Sequence, residues 1–300
     1  MQPLRLGAFA ALRCPFCRAD LAVAGRALRC PRRHSFDLAR SGYVNLAVDH
    51  GPRRAAGGDT RAQLQRRSAV LDAGLFDFMA DAIVAAVAPF SAASPLVLDA
   101  GCGTGHHLAR VAAGLDKSCR GLGLDISRAA TDIGARRFDN IAFAVADVWS
   151  DWPIRGAVAD LVLSVFAPKN FGEAARCLRP GGMIALAYPG PDHLIGLRAT
   201  LPLLNLPADK ARHYRDRLRP WFAILSHARL RRRVEVDASL ARDLVLMGPN
   251  ARHLSTDDAA VHDAMLPVTL DVELIMARKS WPDQTACGST SRGSSTSSRM

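Results

Sequence analysis

The sequence lacks any long hydrophobic segment. Its 300 residues are 49% hydrophobic, but no stretch approaches the roughly 20 consecutive apolar residues that a membrane-spanning helix requires. The mildly apolar start, Met1 to Leu12, runs into Cys14 without the small-residue cleavage site of a signal peptide. We therefore expect a cytoplasmic protein that binds no membrane and keeps its seven cysteines reduced.

Lysine and glutamate are absent from the first quarter of the chain. Met1 to Arg67 contains 13 arginines and 4 aspartates and carries +9 of the formal net charge of +11. A second series of arginines lies between Arg212 and Arg233. Arginines without matching acids attract polyanions, so we expect a nucleic acid partner. The alternative is a solvated surface that simply uses arginine.

The cysteines are unevenly spaced. Cys14, Cys17, Cys30 and His34 form the pattern C-x2-C-x12-C-x3-H, which can hold one tetrahedral ion on two tight turns, and these ligand types favour zinc. A redox pair is the alternative for Cys14 and Cys17, but such a pair usually precedes a helix in a thioredoxin-like unit, which is not found here. We interpret residues 1–50 as a zinc-binding RNA-recognition module whose folding energy comes from the metal.

The most informative motif is an apolar run that ends in an acid and a glycine-rich turn, V-L-D-A-G-C-G-T-G, over residues 97–105. A buried strand followed by such a turn brings backbone N–H groups and a helix N-terminus to a ligand. A second apolar run ends at Asp125, about twenty residues later, where a carboxylate can bind a ribose. The missing Gly-Lys-Ser/Thr sequence excludes a P-loop, and the spacing is not that of a dinucleotide site. The candidate binding residues of the turn are Asp99, Gly101, Gly103, Thr104 and Gly105.

Three later segments fit the same Rossmann-like fold. Residues 142–148 predict a strand ending in Asp147, an acid that could reach an adenine, and residues 159–166 predict a buried parallel strand. A short helix over 173–178, the sequence R-P-G-G and a strand over 183–187 follow. These elements in this order resemble class I S-adenosylmethionine methyltransferases. The predicted fold class is α/β, a doubly wound sheet with a small N-terminal zinc-binding module.

Composition divides the chain into four parts. After the module at 1–50, residues 51–92 hold a Gly/Pro-rich linker and two predicted helices, near 60–71 and 75–87. Residues 93–280 form the predicted S-adenosylmethionine-dependent methyltransferase domain. Residues 281–300 are rich in Ser, Thr and Gly, which predicts a disordered tail.

Further motifs lie on either side of the glycine-rich turn. They are C-P-F-C at 14–17, H-S-F-D-L-A-R-S-G-Y-V-N-L at 34–46, V-F-A-P at 165–168, P-G-P-D-H-L at 189–194 and M-G-P at 247–249. Together they resemble the RlmA family of large-subunit rRNA guanine-N1 methyltransferases, over most of residues 12 to 280. Residues 103–111 and 144–149 resemble especially its tylosin-resistance (TlrB or RlmA-II) branch, which methylates nucleotide 748 of 23S rRNA. The sister branch methylates nucleotide 745.

The resemblance implies specific roles for single residues. It implies zinc ligands at Cys14, Cys17, Cys30 and His34, and cofactor contacts at Gly103, Thr104 and His193. It also implies an aromatic ring against S-adenosylmethionine at Phe76, where the family usually has tyrosine. Gln63 stands where the family has methionine. The partner implied is 23S rRNA, and a homodimer is compatible with the resemblance although no sequence pattern indicates one.

The catalytic residue is not assigned by any motif. Guanine N1 carries a proton at neutral pH, so methylation needs a proton acceptor. Asp59 is one candidate, but an acid just before a helix is more often an N-cap, and we favour that interpretation. The basic zinc module and the helix containing Arg67 are the predicted RNA-docking surface, which binds a hairpin loop with the target base extruded.

Two other functions are weighed against RNA methylation. A small-molecule methyltransferase would use the same fold, but it needs no basic zinc module. A non-catalytic zinc RNA-binding protein would not need the intact Asp99, Gly101, Gly103 and Asp125. Self-protection against a macrolide and routine rRNA maturation both remain open as the physiological role.

Overall fold

The computed structural model describes residues 2–47, 58–90, 92–199, 201–204, 209–255, 259 and 265–280. Within these ranges, a large mixed sheet forms the centre of the molecule and a small antiparallel sheet belongs to the N-terminal module. None of the helices in these ranges is long and apolar enough to cross a membrane. Most of the predicted linker (51–57) and the whole predicted tail (281–300) lie outside the described residues.

The N-terminal module starts with a short helix and continues with strands around the cysteine pattern. The elements are α1 (Pro3–Phe9), β1 (Ala22–Ala24), β2 (Ala27–Arg29), β3 (Ser35–Asp37) and β4 (Val44–Asn45). β1 and β2 form an antiparallel hairpin that turns at Gly25, whose φ is +62°. This hairpin confirms the prediction from the sequence.

The large sheet is formed by β4 and the strands that follow it. The further helices are α2 (Arg61–Asp72), α3 (Asp77–Val87), α4 (His106–Leu115), α5 (Arg128–Arg137), α6 (Phe171–Cys177), α7 (Ile195–Arg198), α8 (Lys210–Leu218) and α9 (Ala238–Leu246). The further strands are β5 (Leu96–Ala100), β6 (Arg120–Asp125), β7 (Ile141–Val145), β8 (Ala159–Val165), β9 (Leu178–Pro189), β10 (Phe222–Asp237) and β11 (Met265–Lys279). Their order is β10-β11-β9-β8-β5-β6-β7-β4.

The strand order places a ligand crevice between β5 and β8. The chain winds from β5 through β6 to β7 on one side and then returns to β8 on the other, and all of these pairs are parallel. Ligands of such sheets bind outside the carboxyl ends of the strands at this switch point. Every residue of β5 is buried, as expected for a parallel strand covered on both faces. The predicted α/β doubly wound fold is confirmed.

The N-terminal module is attached both to the large sheet and to the loop between β7 and β8. β4 pairs in parallel with β7, so the module supplies the outermost strand on that side. Leu12 forms a bridge with Ile154, and α1 packs on β6 and β7. Phe9 and Leu28 belong to the same buried cluster as the core residues of β5 and β6. The zinc module and the sheet therefore share one hydrophobic core.

The R-P-G-G segment differs from its predicted conformation. The sequence predicts a strand that starts at Met183, after R-P-G-G, whereas the structure includes Arg179 to Gly182 within β9. The pairing with β8 passes from Ala159 opposite Leu178 to Leu161 opposite Met183. Four residues therefore bulge out of the ladder, and Gly181 has a φ of +77° there.

Candidate active site and metal centre

The glycine-rich turn after β5 is held in a conformation that requires glycine at two positions. Gly101 has a φ of +83° and Gly105 a φ of +80°. A Cβ at Gly101 would lie 2.6 Å from the Cβ of Ala167, and one at Gly105 would lie 2.5 Å from the ring of Phe143. Side chains at these positions would be strained and would also clash. The turn thus packs directly against the segment that follows β8.

Asp125 fixes this turn to the neighbouring strand. It ends β6, as predicted, and one carboxylate oxygen accepts the N–H of Gly103 while the other accepts the N–H of Ser127, both at 2.8 Å. Burial raises the pKa of Asp125. Its oxygens keep further lone pairs for a ligand hydroxyl, but Asp125 is not among the residues that line the adjoining cavity.

A cavity of about 490 Å³ opens at the carboxyl ends of β5 and β8. This volume is in the range of small-molecule sites. The predicted residues Phe76, Asp99, Gly101, Gly103, Thr104 and His193 line it. Gly105, Asp125 and Asp147 do not. The structure therefore brings residues from well-separated parts of the chain to one wall.

Asp99 has an unsatisfied buried oxygen in this wall. The side chain is 2% exposed, and its Oδ1 atom has no hydrogen-bond partner within the part of the chain that the structure describes. Burial and the nearby Asp125 raise the pKa of Asp99 to about 8. A buried carboxyl oxygen without a partner is costly. A ligand that donates a hydrogen bond here would satisfy it.

Three rings meet on the opposite side of the turn. The ring of Phe76 lies 5.7 Å from that of Phe166, edge to face, and 6.1 Å from that of His193. Phe166 and His193 are 6.2 Å apart. Phe166 adopts a φ of +50° directly after β8, a conformation that is strained for a bulky residue. The strain is tolerated where it turns this ring toward the cavity.

His193 is held neutral in a defined tautomer. Its Nδ1 atom accepts the backbone N–H of Asp271 at 3.2 Å, so the ring proton resides on Nε2. Burial lowers the pKa of His193 to about 4. The carboxylate of Asp271 is fully buried and accepts two hydrogen bonds from Arg229 and one from the N–H of Asp192. β11 and β10 thus position the histidine from behind.

The start of α2 differs from the prediction for Asp59. Thr60, not Asp59, is the N-cap: its hydroxyl accepts the N–H of Gln63, and the Gln63 side chain accepts the N–H of Thr60. Asp59 instead forms an ion pair with Arg67. Thr60 is favoured as the N-cap because this reciprocal capping box satisfies two backbone N–H donors at once. Gln63 also donates to the carbonyl oxygen of Gly248 at 3.3 Å.

Arg67 is part of the cavity wall. It pairs with Asp59, donates to the carbonyl oxygen of Met247 at 2.8 Å, and would lie 3.7 Å from a Cβ at Gly103. The helix turns this side chain toward the cavity, and the prediction that the helix containing Arg67 docks RNA stays a prediction. A cation beside the glycine-rich turn suits a ligand carboxylate.

Asp147 lies two residues beyond the end of β7. Its carboxylate accepts the N–H of Trp149 and the hydroxyl of Ser150, both at 2.9 Å. These bonds make the local turn that a carboxylate at this position favours. The strand is shorter than predicted, since it ends at Val145.

The four predicted zinc ligands come together in the N-terminal module. The sulfur atoms of Cys14, Cys17 and Cys30 and a ring nitrogen of His34 all lie within 4.8 Å of one another. The Sγ atoms of Cys17 and Cys30 are 3.6 Å apart, and Nδ1 of His34 is 3.4 Å and 3.3 Å from Sγ of Cys14 and Cys30. Zn–S bonds of about 2.3 Å and Zn–N bonds of about 2.0–2.1 Å require such spacings in a tetrahedron. The donor set fits one zinc ion.

The arginines divide into paired and exposed groups. The prediction of unneutralised charge is wrong for Arg229 and Arg231, which form ion pairs with Asp192. Arg5 is also buried, and its guanidinium donates hydrogen bonds to the carbonyl oxygens of Ser41 and Ala135. Within the N-terminal module, Arg18 is exposed and pairs with Asp151, and the other exposed arginines are Arg26, Arg29, Arg32, Arg33 and Arg40.

Two cavity-lining side chains, Phe166 and Lys169, were not indicated as site residues by the sequence motifs. Lys169 is 9% exposed, and its ammonium donates to the carbonyl oxygen of Ala167 and lies 5.4 Å from the centre of the Tyr214 ring. Burial and the neighbouring Lys210 lower the pKa of Lys169 to about 8. The position of Phe166 and Lys169 in the sequence could have indicated them as site residues, because the first residues after β8 reach the switch point of the sheet.

Comparisons with known proteins agree with both parts of the structure. Residues 12–50 match the model of a zinc ribbon described as RlmA, N-terminal, and residues 97–182 match a methyltransferase domain. A 23S rRNA (guanine(748)-N(1))-methyltransferase of Streptomyces fradiae is 38% identical over 89% of this chain and 96% of that protein.

Two further relatives carry provisional names for a 23S rRNA (guanine-N(1)-)-methyltransferase. The protein from Micromonospora griseorubida is 35% identical over 89% of this chain and 96% of its own length. The protein YxjB from Bacillus subtilis is 36% identical over 64% of this chain and 69% of its own length.

Proposed function

Because the chain belongs to the RlmA family, methyltransferases that use S-adenosylmethionine and carry a zinc ribbon, we propose that it methylates N1 of a guanine in 23S rRNA. The observation that carries this proposal is that two different sites are attached to the same sheet. One is a cavity of cofactor size with an unsatisfied Asp99 oxygen, and the other is an arginine-rich ribbon with a zinc ligand set. A small-molecule methyltransferase would need only the first.

The cavity wall supports a binding mode for the cofactor. Asp99, Gly101, Gly103 and Thr104, which line the cavity, would hold the cofactor, and Gly105 would keep the shape of the turn. Asp125 and Asp147 lie outside the lining; we propose that Asp125 accepts from the ribose with its remaining lone pairs and that Asp147 lies toward the adenine. Phe76 and the Nε2–H of His193 would contact it from the ring cluster. The sulfonium supplies the methyl group, and the protein's task is to hold donor and nucleophile in line.

The ribbon supports a binding mode for RNA. Phe16 is 60% exposed, and its ring is nearly parallel to that of Phe36 at 6.0 Å between centroids. Arg32 and Arg33 are exposed on the turn between the last two zinc ligands. Hairpin loops are recognised by stacking of unpaired bases on aromatic rings and by contacts to the backbone. The target guanine would leave its stack to enter the cavity.

We place the modified base at nucleotide 748, in hairpin 35, with a role in resistance to tylosin- or mycinamicin-type macrolides. The support is the name of the S. fradiae relative and the resemblance of residues 103–111 and 144–149 to that branch. Expression in a macrolide-sensitive host would test the resistance role, and an unchanged inhibitory concentration despite full methylation would contradict it.

Primer extension across hairpin 35 tests the reaction and the site together. Methylation of N1 blocks base pairing, so reverse transcriptase should stop one nucleotide before the modified guanine when 23S rRNA is incubated with protein and S-adenosylmethionine. Gly101→Ala is the matched inactive control, because its Cβ would meet Ala167 at 2.6 Å. A stop that reports nucleotide 745 would move the protein to the sister branch. No new stop, with cofactor binding intact, would overturn the proposed function.

A further inference from the structure

The proton on guanine N1 has no assigned acceptor among the residues discussed so far. Asp59 is committed to Arg67. His193 already uses Nδ1 as an acceptor toward Asp271, and burial keeps its pKa near 4. Asp99 lies beneath the glycine-rich turn that is proposed to hold the cofactor. The glycine-rich turn is taken up by the proposed cofactor, which leaves the segment after β8 as a further part of the cavity wall that could face the methyl acceptor.

Lys169 occupies that side. The segment from Phe166 to Lys169 continues directly from β8, and Ala167 in its middle touches the place where a Cβ of Gly101 would lie. Both Phe166 and Lys169 line the cavity. The segment therefore lies between the glycine-rich turn and the ring of Tyr214, where a flat base could be presented to the methyl group.

Within the described residues, no acid pairs with the Lys169 amine. The partners found among the described residues are the Ala167 carbonyl oxygen and the Tyr214 ring, and neither is an acid. The groups near the amine from α8 are Lys210 and Tyr214, whereas Arg217 contacts the backbone of Lys169, donating to its carbonyl oxygen at 3.5 Å. Tyr188, Asp99 and His193 face the same cavity from β9, β5 and the loop after β9. Lys210 is a cation close to the amine, which disfavours a further positive charge there.

We propose that Lys169 is the catalytic residue that accepts the N1 proton of the target guanine, an inference that rests on the proposed function. The neutral amine takes the proton and becomes an ammonium while the N1 lone pair forms the bond to the methyl carbon. The carbon–sulfur bond breaks, and its electron pair returns to sulfur as a neutral thioether. One proton and one methyl group are transferred, and no oxidant or further reactant is required.

The pH dependence distinguishes this role from a structural one. Burial beside Lys210 lowers the pKa of Lys169 to about 8, so the neutral amine becomes more abundant as the pH rises from 6 to 8. The single-turnover rate of methylation by the wild-type protein should rise about tenfold per pH unit below this pKa and level off above it. Without the amine, the rise should not level off near pH 8.

Two substitutions at this position separate proton acceptance from charge. Lys169→Met removes the base, and Lys169→Arg keeps a cation that does not deprotonate in proteins. Both should lower the single-turnover rate at pH 8 by about 10²-fold or more while leaving S-adenosylmethionine affinity, measured by calorimetry, within a few-fold of wild type. Lys117→Met is the matched control, because Lys117 is exposed in the turn before β6. Full activity of Lys169→Arg would overturn the proposal.

Direct titration of the amine gives a readout that does not depend on activity. The chain has only four lysines, Lys117, Lys169, Lys210 and Lys279, so a protein labelled with ¹³C at lysine Cε yields four resonances. The resonance missing from Lys169→Arg should titrate near pH 8, and titration near the ordinary lysine value would overturn the proposal. If the wild-type protein produces no stop on 23S rRNA, the proposed function fails. If wild type and Lys169→Met methylate equally, only the inference about Lys169 fails.

Discussion

Asp99 and His193 are buried titratable groups whose pKa values are shifted in opposite directions. The pKa of Asp99 is raised and the pKa of His193 is lowered. Asp99 retains its proton up to about pH 8, and His193 stays neutral down to about pH 4. In both cases burial disfavours the charged form of the side chain. The cavity thus presents a carboxyl group and an imidazole that are mostly neutral at physiological pH.

Replacing Asp99 should stabilise the protein at alkaline pH and weaken cofactor binding. An acid whose pKa is raised from 3.8 in the unfolded chain to about 8 in the fold lowers stability progressively as the pH rises through that window. Asp99→Asn removes this penalty and should raise the free energy of unfolding at pH 8 by on the order of 1 kcal/mol or more, since one pKa unit corresponds to about 1.4 kcal/mol. The gain should vanish near pH 4. Urea unfolding at both pH values, without cofactor, makes the measurement, and an equal effect at both would contradict it.

His193→Gln should remove an acid sensitivity of the fold. The pKa of this histidine is lowered from 6.5 to about 4 in the folded protein, so protonation of the unfolded chain costs stability as the pH falls from 6.5 toward 4. The variant should lose less stability than wild type between pH 7 and pH 5. His253→Gln, at an exposed position, is the control that should behave like wild type. Thermal unfolding at the two pH values compares all three proteins.

Among the secondary-structure elements, α2 has its N-terminal cap at one end and contributes Arg67 to the cavity wall. Its capping box at Thr60 and Gln63 fixes the first turn, and two turns later Arg67 reaches the glycine-rich turn. α2 packs chiefly on α9. The position of the helix therefore sets the position of Arg67 in the cavity wall.

Loss of the cap should destabilise the protein by about 1 kcal/mol. Thr60→Ala leaves the N–H of Gln63 without its acceptor, and substitutions of this kind cost about 0.5–2 kcal/mol. Thr60→Ser keeps the hydroxyl and should cost far less. Chemical denaturation of the three proteins measures the difference. Equal destabilisation by alanine and serine would mean that the methyl group of Thr60, rather than its cap, is what matters.

For the whole molecule, the shared core makes the zinc ribbon and the methyltransferase sheet one cooperative unit. Cys14, Cys30 and Leu28 belong to the same buried cluster as Leu98 and Leu122 of the sheet. Removing zinc with a chelator should therefore lower the melting temperature of the whole chain in a single transition. A separate early transition, with the main one unchanged, would show that the ribbon unfolds alone. Native mass spectrometry should find about one zinc per untreated chain.

The charge distribution predicts where RNA affinity comes from. Arg32→Glu or Arg33→Glu should weaken binding to a hairpin 35 RNA and reduce the slope of log affinity against log salt by about one. Lys117→Glu is the control, since it makes the same charge change at the amino ends of the strands, away from the cavity. Fluorescence anisotropy across a salt series gives the slopes. A slope unchanged by the arginine substitutions would rule out the ribbon as the docking surface.

Features encoded by neighbouring residues were determined by the sequence alone. The zinc ligand set, the glycine-rich turn and the parallel strands β5 to β8 were predicted, because spacing and periodicity act over short distances along the chain, whereas the antiparallel strands β10 and β11 were not. Tertiary structure decided the rest. β4 has only two residues and becomes a strand through its pairing with β7, and Lys169 becomes a candidate base through burial beside α8. The neutral state of His193 likewise depends on burial, and its tautomer on the backbone N–H of Asp271, distant in sequence, since such environments arise only when separate segments pack together and exclude water.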